Sequence, residues 1–144
     1  MDKNEVFSDD KQYVASTYAR FNVAFERGEG SRLYDIDGKE YIDCASGIGV
    51  NIFGVCDEVW KSAVIAQLNK IQHTSNLYYS MPQAELAKLL CEKTGAKKVF
   101  FGNSGAEANE CAIKVARKYG NTKYGRNEII TLKNSFHGRT IATL

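Results

Sequence analysis

The sequence predicts an α/β fold, and three stretches carry that prediction. Residues 32–36 and 39–43 alternate in polarity around Asp37-Gly38, the strongest short hairpin signal in the chain. Val99-Phe100-Phe101 is an apolar run that ends in Gly102-Asn103-Ser104-Gly105 and opens a helix-patterned segment. Glu128-Ile129-Ile130-Thr131-Leu132 is a short β-branched run that reads as a buried strand. Strand, helix and strand in that order form a βαβ unit, with parallel strands and a right-handed crossover expected.

The bulk properties narrow the function classes. With 144 residues, 44% of them hydrophobic, the chain has enough apolar mass for one ordinary domain with its own core. A net charge of +2, from interspersed acids and bases, argues against a dedicated nucleic-acid or membrane-surface protein. Cys44, Cys56, Cys91 and Cys111 show no C-x-x-C spacing, and only His73 and His137 accompany them. No metal site is expected, and reduced core thiols of a cytoplasmic protein are the better reading. The charged N-terminus has no apolar core of a secretory signal, and no window resembles a membrane span. The chain halts inside an apolar-looking segment at Leu144, so it reads as a piece of a longer chain.

Taken in order, residues 2–17 read as a short helical arm and residues 21–25 as an extended stretch. Glu26-Arg27-Gly28-Glu29-Gly30-Ser31 reads as a turn, followed by the hairpin, with Leu33 or Tyr34 opposing Tyr41 or Ile42. In residues 44–54, Gly47, Gly49 and Gly54 sit among small and apolar residues. That composition suits a buried irregular loop, or a loop whose missing side chains admit a ligand or second subunit. Asp57 is placed to cap a helix running to about Gln72. Ser80-Met81-Pro82-Gln83 has a capping-box pattern, opening a helix that ends near Gly95. The helix that follows Ser104 carries Ala112, Ile113, Val115, Ala116 and Tyr119 on one apolar face and is expected to stop at Gly120-Asn121.

Two loops carry the chemistry. The first N–H groups of a helix lack internal partners and sit at the positive end of its dipole. Ser104-Gly105-Ala106 therefore suits a phosphate or carboxylate, with a hydroxyl from Ser104 and close approach at Gly105. The same pattern also suits a capped helix with no ligand. It is neither a Walker loop nor a G-x-G-x-x-G fingerprint. Phe136-His137-Gly138-Arg139 offers a flat aromatic for stacking and a guanidinium for a carboxylate, or else a packed aromatic and a solvated arginine. In open α/β sheets ligands lie beyond the carboxyl ends of strands, which places 102–107 and 133–139 on one edge. Together they suggest a phosphorylated aromatic cofactor acting on an amino acid.

With both loops in view, the chain resembles the class III pyridoxal-phosphate-dependent aminotransferases, the ornithine, acetylornithine and 4-aminobutyrate group. Asn103-Ser104-Gly105-Ala106-Glu107-Ala108-Asn109-Glu110 and Ser135-Phe136-His137-Gly138-Arg139-Thr140 carry the resemblance. Residues 26–31, 33–38, 41–43 and 46–51 follow the family's opening segment, and the likeness runs from about Tyr18 onward. Within the group the text looks most like the acetylornithine type.

The resemblance implies a fold-type I transferase. Residues 1–54 would be a hairpin-containing small-domain segment, and 55–144 the first part of a large domain with a mixed, mainly parallel sheet and flanking helices. It implies pyridoxal 5'-phosphate as cofactor, with the N–H groups of Gly105 and Ala106 and the hydroxyl of Ser104 on its phosphate. Phe136 would stack on the pyridine ring and Arg139 pair with the substrate α-carboxylate. Tyr18 corresponds to a substrate-contacting tyrosine. Ile48 stands where ornithine-type members carry a tyrosine, an apolar exchange that suits an acylated substrate. Ser75 and Asn76 would line the entrance.

The implied reaction moves the terminal amino group of N2-acetylornithine to 2-oxoglutarate, giving glutamate, in arginine biosynthesis, by a cytoplasmic homodimer with no nucleic-acid or membrane partner. Two departures stand out: Gly54-Val55-Cys56-Asp57-Glu58 replaces a usual Gly-His-x-x-Pro, and Asn22 replaces a common proline. No lysine here matches the context of the one that binds the cofactor covalently, so no catalytic group is expected within these residues and the segment alone is expected to be inactive. The rival readings are another class III aminotransferase, with ornithine, succinylornithine or 4-aminobutyrate as donor, and a non-catalytic α/β module that holds a phosphorylated ligand.

Overall fold

The computed structural model describes residues 1–144, which divide into two compact units, 1–74 and 75–144. In the first unit, α1 (Lys3–Tyr13) starts at a reciprocal cap. The Asp2 carboxylate accepts the N–H groups of Asn4 and Glu5 at 2.8 and 2.9 Å, and the Glu5 carboxylate accepts that of Asp2 at 2.7 Å. This cap turns the expected arm into three turns of helix. An ion pair from Lys3 to Asp37 at 2.8 Å ties it to the hairpin tip.

Strands β1 (Phe25–Glu29), β2 (Arg32–Asp35) and β3 (Glu40–Ile42) form an antiparallel sheet in that order. The expected hairpin is β2–β3, with Leu33 opposite Tyr41. The stretch read as a turn at 26–31 is mostly strand, and the chain reverses at Gly30-Ser31. Contacts between side chains explain the difference. The Arg27 guanidinium lies 3.6 Å from the centre of the Tyr34 ring, and Phe25 meets Tyr41 edge-on at 5.4 Å. Gly28 is required inside the strand, because a Cβ there would lie 2.8 Å from both Leu33 and Val55.

Asp35, only 2% exposed, organises the β2–β3 turn. Its carboxylate accepts the N–H groups of Asp37 and Lys39 at 3.1 and 2.9 Å and the Tyr41 hydroxyl at 2.9 Å. Burial raises its pKa, but the Lys39 N–H, the Tyr41 hydroxyl and the Asp37 N–H outweigh that and hold it below the ordinary 3.8.

The glycine-rich loop contains a short helix, α2 (Ser46–Gly49), of the left hand: φ is 49° at Ser46, 61° at Gly47, 62° at Ile48 and 76° at Gly49. Such a turn is costly for Ser46 and Ile48, whose Cβ atoms crowd the following carbonyls. The departure after Gly54 is accommodated without the usual histidine and proline. Gly30 and Val55 exchange backbone hydrogen bonds at 2.9 and 2.8 Å, Cys56 takes a left-handed φ of 58°, and Asp57 accepts the Trp60 N–H at 2.8 Å. Helix α3 (Glu58–Leu68) follows, ending at Asn69 rather than near residue 72.

In the second unit, α4 (Met81–Thr94) ends at the expected left-handed Gly95, but Ser80 makes no side-chain cap, so its capping-box pattern is not realised. Helix α5 (Gly105–Tyr124) runs through Gly120-Asn121 and stops at Gly125, φ +64°. Gly120 lies within the helix, and the Arg126 carbonyl packs against it, 2.6 Å from where a Cβ would stand.

Residues 99–101 and 128–132 do not form the two expected strands. Their apolar, aromatic and β-branched side chains suit an extended backbone, but a strand needs a partner's N–H and C=O groups, and these two runs do not pair with each other. The sheet observed is the antiparallel one of residues 25–42. No hydrophobic side chain is buried; the buried side chains are those of Asp35 and Thr143. The cysteines accordingly are not core thiols: Cys44 and Cys56 are exposed, Cys91 and Cys111 half-buried, and all are free. No helix is long and apolar enough to cross a membrane.

Candidate functional site

The site is built on the start of α5. Ser104 is extended, at φ −153° and ψ 161°, and its Oγ accepts the Glu107 N–H at 3.2 Å. The Glu107 carboxylate returns to the Asn103 N–H at 2.5 Å. Ser104-x-x-Glu107 has the capping-box spacing, but the carboxylate reaches the N–H of Asn103, one residue before the cap, instead of that of Ser104. The cap consumes the Glu107 N–H, and the Ala108 N–H bonds to the Ser104 carbonyl at 3.0 Å. The Gly105 and Ala106 N–H groups have no acceptor in the chain. A Cβ at Gly105 would meet nothing within 4 Å beyond its chain neighbours and the adjoining helix backbone. Two open donors, a serine hydroxyl with a proton to give and the positive end of a 20-residue helix make a cradle for an anionic oxygen group.

The second loop is pressed against this cradle. Gly138 is buried with φ +141°, and a Cβ there would lie 2.7 Å from the Ala106 Cβ. Asn109 Nδ2 donates to the His137 carbonyl at 2.6 Å, and the Thr140 hydroxyl donates to Glu110 Oε1 at 2.5 Å. Thr143 Oγ1 accepts the Thr140 N–H at 3.0 Å and closes the loop behind Arg139. His137 Nδ1 lies 3.2 Å from the Ser135 carbonyl, a local loop contact. The Arg139 guanidinium sits 5.3 Å from the centre of the Phe136 ring, which is 75% exposed.

Five of the expected residues, Ser104, Gly105, Ala106, Phe136 and Arg139, thus line one open cavity of about 490 Å³. It unites a phosphate-type cradle, an exposed aromatic face and a guanidinium. Asn109 and Thr140 also line it; both stand in the two motifs, but the sequence assigned them no site role. Tyr18 and Ile48 belong to the first unit. Tyr18 is exposed between α1 and β1, and Ile48 is 96% exposed on the left-handed turn. Ser75 has φ +64° and its carbonyl accepts the Tyr78 N–H at 3.3 Å. No three of His, Cys, Asp and Glu converge as metal ligands.

Comparison with known proteins adds the decisive observation: the class-III aminotransferase family matches residues 13–144. The chain belongs to this family. Among curated relatives, an acetylornithine aminotransferase of Haemophilus ducreyi is 56% identical over all of this chain and 37% of its own length. Among solved structures, the N-acetylornithine aminotransferase of Stenotrophomonas maltophilia superposes with a TM-score of 0.80 at 40% identity, covering 92% of this chain and 36% of that one. An ornithine aminotransferase of Toxoplasma gondii, described with partial occupancy of PLP at its active site, superposes with a TM-score of 0.87 at 29% identity, over 97% of this chain and 34% of that one. The chain thus spans about a third of the length of its aminotransferase relatives.

The fold-type I assignment follows from these neighbours, and pyridoxal 5'-phosphate is the cofactor the family indicates. The residues present suit it. The empty volume in front of Gly105, which a side chain would fill, faces the two open N–H groups, and the exposed Phe136 ring borders the same cavity.

Proposed function

We propose that this chain is the N-terminal portion of an acetylornithine aminotransferase. The full-length protein would transfer the terminal amino group of N2-acetylornithine to 2-oxoglutarate, giving glutamate, as a cytoplasmic homodimer in arginine biosynthesis. Residues 1–54 would supply its small-domain segment and 55–144 open its large domain. The observation that carries the reading is the meeting of the Ser104-Gly105-Ala106 cradle with Phe136 and Arg139 in one cavity. Relatives at 44–56% identity named acetylornithine aminotransferase support the choice of substrate.

In this reading the N–H groups of Gly105 and Ala106 and the Ser104 hydroxyl hold the cofactor phosphate, and Phe136 offers its face to the pyridine ring. Bound pyridoxal phosphate supplies an electron sink for a substrate amine. Arg139 binds the substrate α-carboxylate as a planar fork and so fixes which amino group is presented. Tyr18 and Ile48 are assigned to substrate contacts, Ile48 favouring an acylated, uncharged group over a second ammonium. No lysine lines the cavity, so the cofactor-binding lysine is assigned to the remainder of the full-length protein.

The test is glutamate formation by the full-length protein from 2-oxoglutarate with acetylornithine, ornithine or 4-aminobutyrate as donor. The reading predicts highest kcat/KM for acetylornithine, and no turnover by the 144 residues alone. Preference for another donor would reassign the substrate. No turnover with any donor, by folded protein supplied with cofactor, would favour the non-catalytic ligand-binding reading.

A further inference from the structure

We infer that one face of α5, formed by Ala106, Asn109 and Glu110, is a positioning rail that sets Phe136 and Arg139 relative to the phosphate cradle. The inference rests on the cofactor reading above and deepens it. Positions 106, 109 and 110 are spaced i, i+3 and i+4, so their side chains share one face of the helix. Each meets a different residue of the second loop. Ala106 faces Gly138, Asn109 Nδ2 donates to the His137 carbonyl at 2.6 Å, and Glu110 Oε1 accepts the Thr140 hydroxyl at 2.5 Å. The order matters. His137 immediately follows Phe136, and Thr140 immediately follows Arg139. One hydrogen bond therefore holds the backbone carbonyl of the residue after Phe136, and the other holds the side chain of the residue after Arg139.

The cradle and the rail belong to the same helix, and Ala106 serves in both. A shift of the loop along α5 would move the aromatic ring and the guanidinium together with respect to the open N–H groups. The contacts span 28 and 30 residues of sequence, so no local turn geometry enforces them. Substitution at Asn109 leaves the half-buried His137 carbonyl without its donor, and loss of the Thr140 hydroxyl leaves Glu110 without its partner. These are positioning residues: they act through the loop on the groups that face the cavity.

The experiment uses full-length apoprotein reconstituted with pyridoxal phosphate. Wild type, Asn109→Leu, Thr140→Val and Thr140→Ser are compared by cofactor dissociation constant, visible circular dichroism of the bound cofactor and apoprotein Tm. Asn109→Leu and Thr140→Val are each expected to weaken cofactor binding by about tenfold, about 1.4 kcal/mol. The dichroic band is expected to change with them, and Thr140→Ser, which keeps the hydroxyl, to restore both. Wild-type affinity and dichroism in Asn109→Leu and Thr140→Val would overturn the proposal. So would an affinity loss that merely tracks a fall in apoprotein Tm and is the same in Thr140→Ser as in Thr140→Val. Failure of the wild-type protein itself to bind pyridoxal phosphate would instead overturn the cofactor reading on which the rail depends.

Discussion

The hairpin turn at Asp35 and the helix start at Ser104 use similar materials to opposite ends. Each is a glycine-containing turn in which side-chain oxygens accept backbone N–H groups. At the hairpin, Asp35 is buried and takes two N–H groups and a hydroxyl. At the helix start, Ser104 and Glu107 satisfy the N–H groups around the turn but leave those of Gly105 and Ala106 open beside empty space. A turn that completes its hydrogen bonds internally has only the fold to serve. A turn that stops two donors short, at the positive end of a long helix, is prepared for a ligand.

The comparison breaks most visibly at Gly138. Gly138→Val would put a branched side chain into Ala106 and onto a backbone at φ +141°. Overpacking and backbone strain of this kind cost about 1–3 kcal/mol each. Cofactor binding by the full-length protein is therefore expected to fall by more than tenfold, measured by reconstitution of the apoprotein, as the second loop lifts from the cradle. Retained affinity would mean that the loop and the cradle do not act together.

A smaller effect sharpens the other side. The folded-state pKa of Asp35 lies below its ordinary 3.8, so its contribution to stability is present above that value and is lost as pH falls through the lower, folded-state value. Asp35→Asn is expected to lower Tm at neutral pH and to flatten the acid limb of the Tm-against-pH curve, with cofactor affinity unchanged. An acid limb identical to wild type would show that Asp35 does not hold the turn.

How legible each region was in the sequence follows from the range of its interactions. The hairpin could be read because alternation around Asp37-Gly38 is local and its partner strand is a few residues away. Ser104, Phe136 and Arg139 were legible as residue types, and the structure brings them to one cavity. The contacts of Asn109 and Glu110 with the second loop were not legible, since a donor on a helix gives no hint of an acceptor some 28 residues on. Neither was the left-handed turn at Ser46 and Ile48, which are not residue types that announce positive φ. The two expected parallel strands mark the converse limit: a β-branched run reports suitability for an extended, covered backbone, and pairing depends on what lies beside it.

The central claim is that the open N–H groups at the start of α5 hold the phosphate of pyridoxal phosphate. Its most direct test is titration of full-length apoprotein with pyridoxal phosphate, with and without inorganic phosphate, in wild type and Gly105→Ala. The Gly105 site has space for a methyl group, so the variant is expected to fold with wild-type Tm. The account predicts that inorganic phosphate competes with the cofactor in wild type, and that the methyl group in the cradle weakens binding of both. Cofactor binding indifferent to inorganic phosphate and unchanged in Gly105→Ala would contradict it.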